Sequence, residues 1–353
     1  MKEGTMTAQF GKRDSNFEKK IKTVCDNVKK GIFSNPSCDP NVVFGPVPSR
    51  RLGHSLGVNN IKSKTCSYDC IYCQVGPTTC LTTGRGTCLN PYELFCLVKR
   101  KIELLTEQGM QIDYISLVPN GEPTLDLGLS KEIKVLRKFG YPIAVFTNSS
   151  LLWNDNVKED LLFADYVSVK VDTVNEATWN AINRPQRRLR FQPMLKGITD
   201  FSKTFGGVLT TETMLVRNVN DTLDEVRSIG EYLTGLKRTK SYFSIPIRPP
   251  AERYAVAPDP YTLSEISSFV RNTIAVSQML CSPEGNDFEG AGSIEEELLG
   301  IISVHPMNRE AMESFIRRKG GTADTLQQMV VKKRIRAINF EGRTFYMNAK
   351  HVV

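Results

Sequence analysis

The sequence predicts an α/β fold in which a six-stranded parallel sheet is followed by a small C-terminal winged-helix-like domain. Six short apolar runs alternate with helical patterns, which is typical of right-handed βαβ units and a parallel sheet. Several runs, such as YISLV and IAVF, are apolar throughout, which indicates strands covered on both faces. The runs lie at residues 57–61, 113–119, 141–147, 166–172, 208–216 and 240–247.

Helical patterns fill most of the intervals between these strands. The clearest one begins with Asn90 as N-cap and Pro91 at the first helical position, and it ends at Gly109. Glu93 completes the pattern of a capping box. Further helices are predicted at residues 130–139, at 222–236, at 262–275 behind a TLSE capping box, and at 16–30 near the N-terminus.

The same patterns divide the chain into four segments. An N-terminal extension covers residues 1–43, the sheet and its helices cover 44–280, a Gly-rich linker covers 281–292, and the last domain covers 293–353. Three helices followed by a β-hairpin are typical of a winged helix. In the last domain the helices are predicted at 294–304, 309–319 and 322–333, and the strands at 336–340 and 344–347.

Composition and charge restrict the classes of protein that this chain can represent. The 353 residues are 40% hydrophobic and 24% charged, which predicts a folded core rather than disorder. No run approaches the roughly 20 apolar residues that a membrane helix needs, so we expect a cytoplasmic protein with no membrane partner. The net charge is +8, and residues 309–353 alone hold ten Lys/Arg against four Asp/Glu. This basic segment predicts a polyanionic partner.

Residues 66–73 read CSYDCIYC and place three cysteines in the spacing C-x3-C-x2-C. Thiolates bind soft metals, and four of them complete a zinc site or a [4Fe–4S] cluster. Cys66, Cys70 and Cys73 would leave one iron open to a small-molecule chelate. A zinc site with Cys80 as fourth ligand remains the alternative. The odd total of nine cysteines favours metal ligation with reduced thiols over a disulfide framework.

This cysteine spacing, with Tyr72 before the last cysteine, resembles the signature of the radical S-adenosylmethionine (radical SAM) superfamily. The resemblance implies a partial six-stranded parallel (βα)6 barrel that holds a [4Fe–4S] cluster with S-adenosylmethionine on the open iron. It implies that the reduced cluster cleaves S-adenosylmethionine to a 5′-deoxyadenosyl radical, which abstracts hydrogen from a substrate. It also implies a reduced electron donor of the flavodoxin or ferredoxin type.

Two strand ends match cofactor-binding motifs of this superfamily. The second strand ends in NGEP, where Asn120 occupies the first position of a Gly-Gly-Glu-Pro-like turn and Gly121 and Glu122 follow as expected. Asn tolerates the left-handed conformations that Gly supplies, so this departure is mild. The third strand ends in a Thr-Asn turn that directs Asn148 toward the cofactor.

The fourth strand, VSVKVDT, alternates polar and apolar residues. Its polar residues Ser168, Lys170 and Asp172 should face the barrel interior, opposite the valines. Lys170 and Asp172 then have two interpretations, as a buried ion pair or as contacts to the cofactor.

Further segments resemble one group of the superfamily, the wyosine-synthase-like iron–sulfur oxidoreductases. The resemblance covers residues 44 to about 350 and implies a tRNA base as a candidate substrate. The segments are FGPVPSRRLGHSLGVN at 44–59, INRP at 182–185, MLVRNVND at 214–221, IRPPAE at 247–252 and VHP at 304–306.

In their N-terminal part, enzymes of the wyosine group carry a C-x12-C-x12-C pattern whose cysteines hold a second cluster. Cys25 and Cys38 show that spacing, but the third position is Arg51, so a second cluster lacks a ligand. Cys96 lies beside the apolar stripe of a helix and is predicted to be a core residue. The remaining alternative ligands are Cys80, Cys88 and Cys281.

Basic side chains near the expected barrel mouth predict an anionic substrate, because arginine forks match phosphates and carboxylates. A second arginine group in NRPQRRLR is better explained as a solvated, charged helix with salt bridges than as a substrate site, and His305 is expected to be a structural histidine at a helix end. The candidate substrate residues are Arg50, Arg51, His54, Arg217, Arg248 and Glu252.

The predicted function is a radical SAM enzyme that acts on RNA. The basic residues of the last domain support RNA, although such domains also serve as protein docking surfaces or lids. Modification of a protein, a peptide or an anionic metabolite is the alternative among enzymes, and an iron–sulfur redox-sensing DNA-binding regulator is the alternative of another class. The basic residues are Lys332, Lys333, Arg334, Arg336 and Arg343.

Overall fold

A computed structural model describes residues 15–33, 42–282 and 285–349. In chain order the strands are β1 (Val43–Ser49), β2 (Gly53–Val58), β3 (Thr65–Cys66), β4 (Cys80–Leu81), β5 (Tyr114–Leu117), β6 (Ile143–Thr147), β7 (Tyr166–Lys170), β8 (Val208–Met214), β9 (Lys240–Ser244), β10 (Ser277–Leu280), β11 (Met307–Asn308), β12 (Ile335–Phe340) and β13 (Arg343–Asn348). The helices are α1 (Ser15–Lys29), α2 (Pro91–Glu107), α3 (Leu129–Leu136), α4 (Asp155–Leu161), α5 (Glu176–Asn183), α6 (Phe191–Thr204), α7 (Leu223–Thr234), α8 (Pro260–Thr273), α9 (Ile294–Ile302), α10 (Arg309–Arg318) and α11 (Ala323–Val331).

The main sheet is parallel-rich, which confirms the α/β class. Its strand order in the described chain is β1-β2-β5-β6-β7-β8-β9-β10, and every neighbouring pair from β2 onward is parallel. The six predicted strands correspond to β2 and to β5 through β9, so the count of six is too low. The sequence patterns missed β1 because it contains Pro46 and Pro48, and an edge strand such as β1 tolerates proline. They missed β10 because SQML contains no β-branched residue.

A side-chain N-cap fixes the first residue of several helices, and the caps of α2 and α8 test two of the predictions. The Asn90 side chain accepts a hydrogen bond from the Tyr92 amide at 3.0 Å and caps α2, as predicted. The TLSE capping box is wrong, because α8 begins at Pro260 and the Asp259 carboxylate caps it through the Tyr261 and Thr262 amides. None of the described helices is both long and apolar enough to cross a membrane.

The C-terminal unit, residues 285–349, packs against the edge of the main sheet. Phe44 and Val47 of β1 share one hydrophobic core with apolar side chains of α9, α10 and α11. The buried Lys101 ammonium of α2 forms an ion pair with the buried Glu297 carboxylate of α9. The predicted helices and hairpin are present, and β11 joins the hairpin in a three-stranded sheet. One face of this unit is therefore fixed beside the main sheet.

The N-terminal helix α1 packs on α2. The Phe17 ring lies 5.5 Å from the Phe95 ring, and a disulfide joins Cys25 to Cys96. The expectation that the thiols are all reduced is therefore wrong for this pair, and Cys25 is not a cluster ligand in this structure. Cys96 is buried, as predicted for a core residue, but its partner is 71 residues away in sequence and no spacing pattern identifies it. Cys38 lies outside the described residues.

Candidate cofactor and substrate site

A cavity of about 360 Å³ lies at the carboxyl ends of the parallel strands, where (βα) barrels place their active sites. The three cysteines of CSYDCIYC line one side of it. Cys66 ends β3, while Cys70 and Cys73 lie in the following loop, and all three are half-buried free thiols. The carboxyl end of α5 holds this loop, because the carbonyls of Ile182 and Asn183 accept hydrogen bonds from loop amides at 3.0 Å.

Each of the three sulfurs accepts a hydrogen bond from one side chain. The side-chain amide nitrogen of Asn148 lies 3.4 Å from Cys66 Sγ, and that of Asn183 lies 3.4 Å from Cys70 Sγ. The Lys64 ammonium lies 3.9 Å from Cys73 Sγ. Nitrogen donors of this kind stabilise thiolates that ligate iron. The three thiols and their donors therefore fit a [4Fe–4S] cluster.

Burial raises the pKa of two of these thiols, Cys66 and Cys70. Burial, with a contribution from the Glu122 carboxylate, raises the pKa of Cys66 to about 12. Burial also raises the pKa of Cys70 well above its ordinary value. The protonated forms of Cys66 and Cys70 are consequently favoured when no metal is bound, and metal binding must displace these protons.

The alternative of a four-thiolate zinc site is not supported. In the described ranges, no group of three or more His, Cys, Asp and Glu side chains is arranged to hold a metal ion. Cys80, the proposed fourth ligand, is exposed on β4. A cluster distributes its thiolates over different irons, so its ligands lie farther apart than those of one zinc ion.

The NGEP turn lies directly against the cysteine segment. A Cβ added to Gly121 would lie 2.2 Å from the Thr65 carbonyl oxygen, so this close approach requires glycine. Asn120 does not adopt the left-handed conformation that asparagine tolerates. Left-handed backbone occurs instead at Lys64, with φ of 58°, which lines the cavity, and at Ser149, with φ of 70°, next to Asn148.

The Glu122 carboxylate connects the two predicted turns. It accepts hydrogen bonds from the Thr124 and Thr147 hydroxyls, each at 2.6 Å, and from the backbone amide of Asn148 at 2.7 Å. Burial raises its pKa, although these hydrogen bonds oppose the shift. Glu122 therefore positions Asn148, whose own side chain reaches Cys66.

Ser168 and Lys170 of the fourth predicted strand, β7, line the cavity as expected, while Val167, Val169 and Val171 lie in the core. Asp172 follows β7 and is buried beside the cavity rather than lining it. Lys170 and Asp172 form the ion pair of the first interpretation, at 3.2 Å. The Asp172 carboxylate also accepts hydrogen bonds from Tyr72 and, at 2.8 Å, from Asn183. Lys170, in contrast, lines the cavity with its ammonium 5.0 Å from the centre of the Tyr72 ring.

Glu212 of β8 is a cavity residue that the sequence analysis missed. Its carboxylate forms ion pairs with Arg51 at 2.6 Å and with Lys170 at 3.8 Å. Although burial disfavours its charge, these two cations lower the pKa of Glu212 far below its ordinary value. Glu212 alternates with buried threonines in TTETM, so the same period-2 pattern that identified Lys170 could have identified it.

The six candidate substrate residues divide into two groups. Arg50, Arg51 and Arg248 line the cavity. The other three do not line it. His54 pairs with Asp113 at the amino ends of the strands, Arg217 is exposed on the loop after β8, and Glu252 pairs with Arg184.

The C-terminal unit supplies part of the cavity wall. The Arg248 guanidinium lies 2.8 Å from His305 Nε2 and donates to Gln74 Oε1 at 3.1 Å. The Gln74 amide in turn donates to the Val304 carbonyl at 2.9 Å. His305 packs on Phe288, as a structural histidine would, but it also reaches the cavity, which the sequence analysis did not foresee.

Comparisons with known proteins identify the family to which this chain belongs. The family model described as Radical SAM superfamily matches residues 60–229. UPF0026 protein MJ1312 of Methanocaldococcus jannaschii is 40% identical over 308 residues, which cover 87% of this chain and 95% of that protein. UPF0026 protein slr1464 of Synechocystis sp. is 34% identical over 59% of this chain and 76% of that protein. A radical SAM methyltransferase structure from Sphaerobacter thermophilus has a TM-score of 0.50 at 16% identity, covers 67% of this chain and 70% of its own, and shows similarity of fold alone.

Proposed function

Because this chain belongs to the UPF0026 proteins and to the radical SAM superfamily, we propose that Cys66, Cys70 and Cys73 bind its [4Fe–4S] cluster and leave one iron to S-adenosylmethionine. Enzymes of this superfamily use both cofactors, which when bound supply the one-electron chemistry that generates a 5′-deoxyadenosyl radical. The observation that carries the proposal is the set of three thiols, each with its own nitrogen donor, in one cavity at the carboxyl ends of the strands.

The residues around the thiols supply binding and orientation. Asn120 and Gly121 would present their turn to the methionine end of S-adenosylmethionine, with Glu122 and Asn148 holding that turn in place. Lys170 offers a cation to the carboxylate of the cofactor, while Asp172 orients Lys170 and Tyr72 through the contacts described above. The turn containing His305 forms part of the cavity wall, and it would help to exclude water and competing hydrogen donors.

The experiment that tests this function is anaerobic. Protein reconstituted with iron and sulfide, then given dithionite and S-adenosylmethionine, is expected to form 5′-deoxyadenosine. The nucleoside is quantified by chromatography, and protein that receives no dithionite is expected to form none, because the cluster must be reduced first.

For the substrate we propose an RNA base, with a reduced flavodoxin or ferredoxin as electron donor. The exposed side chains of Lys332, Lys333, Arg336 and Arg343 support RNA, since a cluster of cations on one unit suits phosphates. The element order of that unit, helix, strand, two helices and hairpin, supports its interpretation as a winged helix. Arg50, Arg51 and Arg248 add positive charge to the cavity itself.

Replacement of Lys332 and Lys333 by glutamine together is expected to weaken RNA binding and to reduce its salt dependence. Each lost phosphate contact should lower the slope of log K against log salt by about 1. Binding of a tRNA mixture is measured by fluorescence anisotropy over a salt series. The matched control replaces the exposed Lys131 and Lys203 with glutamine and should bind like the wild type. An unchanged slope in the first variant would contradict the RNA proposal and favour a protein, peptide or small anionic substrate.

A further inference from the structure

Two lysines are buried in the described chain, and they differ in their partners. Lys101 has a carboxylate partner, Glu297. Lys64 is 5% exposed, and its described ammonium contacts are the Gly76 carbonyl and the sulfur of Cys73. Neither of these contacts is a carboxylate. Because a buried charge is costly without an opposite charge, the position of Lys64 suits a sulfur that carries negative charge as a metal ligand.

The backbone holds Lys64 in place independently of its side chain. Its φ of 58° is in the left-handed region, which is unfavourable for a residue with a Cβ. Its amide donates to the Asn120 carbonyl at 3.1 Å, and its carbonyl accepts from the Thr79 and Cys80 amides at 3.1 and 3.0 Å. These bonds connect Lys64 to the NGEP turn on one side and to β4 on the other. The ammonium is therefore directed at Cys73 from a fixed position.

The donors on the other two sulfurs are neutral amides that are fixed as well. Asn148 also donates to the Ser67 hydroxyl at 2.9 Å, and Asn183 also donates to the Asp172 carboxylate at 2.8 Å. Lys64 is thus the one charged member of this set of three sulfur donors.

We propose that Lys64 is the counter-ion of the cluster and a positioning residue that raises its reduction potential. The inference rests on cluster binding by the three cysteines, the first part of the proposed function. Three thiolates give the oxidised cluster a net negative charge, and the single electron accepted from the donor makes that charge more negative. A cation fixed beside Cys73 stabilises the reduced form more than the oxidised form, and the effect is large because the surroundings are buried.

The test replaces Lys64 with methionine, which retains the length of the side chain but removes its charge. Lys62→Met is the matched control, because Lys62 carries the same charge two residues away but is exposed. Lys64→Arg restores the charge. Bound iron is measured first, and the midpoint potential of the cluster is then determined by a dithionite titration followed by electron paramagnetic resonance, without S-adenosylmethionine.

We expect Lys64→Met to bind iron and to show a lower midpoint potential than the wild type, with Lys62→Met unchanged and Lys64→Arg close to the wild type. A wild-type potential in Lys64→Met would overturn the inference. If Lys64→Met binds no iron, then iron bound by Lys64→Arg supports the role of the charge, and loss of iron in both variants overturns it. A shifted potential without 5′-deoxyadenosine formation would contradict the proposed function alone, and a wild type that binds no cluster would overturn both.

Discussion

Replacement of Cys70 by alanine is expected to remove most of the bound iron and all formation of 5′-deoxyadenosine. Its sulfur lies in the cavity with Cys66 and Cys73, and two thiolates do not retain a [4Fe–4S] cluster that needs three. Iron, sulfide and nucleoside are measured on the same anaerobic samples.

Cys80→Ala is the matched control for this variant. Cys80 lies near the same segment, because its amide donates to the Lys64 carbonyl, but its thiol is exposed. We expect this variant to retain iron and activity. The reverse outcome, with iron lost from Cys80→Ala and kept by Cys70→Ala, would contradict the assignment of the three ligands.

Replacement of Lys101 by alanine is expected to lower the free energy of unfolding by about 3–5 kcal/mol, because it leaves the Glu297 carboxylate buried without a counter-charge. The Gly292 amide, which donates to Glu297 at 2.7 Å, compensates only part of that loss. Urea unfolding followed by circular dichroism measures the change. Because the ion pair connects α2 to α9, we expect the variant also to lose contact between the C-terminal unit and the main sheet.

The double variant Lys101→Met with Glu297→Gln separates charge from packing. It removes both charges and keeps similar volumes, so we expect it to recover most of the lost stability. A double variant as unstable as Lys101→Ala would show that the ion pair is not the cause. A single variant as stable as the wild type would exclude a role for this contact in holding the C-terminal unit.

The features predicted correctly from sequence are those that depend on neighbours along the chain. The spacing of Cys66, Cys70 and Cys73 is a local pattern, and the structure places the three thiols in one cavity. The alternation in β7 placed Lys170 on the cavity side because strand geometry fixes the direction of successive side chains.

The features that were missed depend on contacts between distant segments. Arg51 and Glu212 form an ion pair across 161 residues, and Cys25 and Cys96 meet across 71. Asn183 was part of the quoted INRP segment, but only the packing of α5 brings it to Cys70. His54 was expected near the substrate because it lies, with Arg51, just ahead of the strand that precedes the cysteines, yet it pairs with Asp113 at the amino ends of the strands.

The most direct test of the cluster assignment and of its chemistry is the amount of 5′-deoxyadenosine that reconstituted wild-type protein forms with dithionite and S-adenosylmethionine, measured together with bound iron. We predict about four irons per chain and 5′-deoxyadenosine that accumulates only with the reductant. The same iron content with no nucleoside, in the presence of RNA and of other candidate substrates, would contradict the enzyme assignment and favour a redox-sensing cluster.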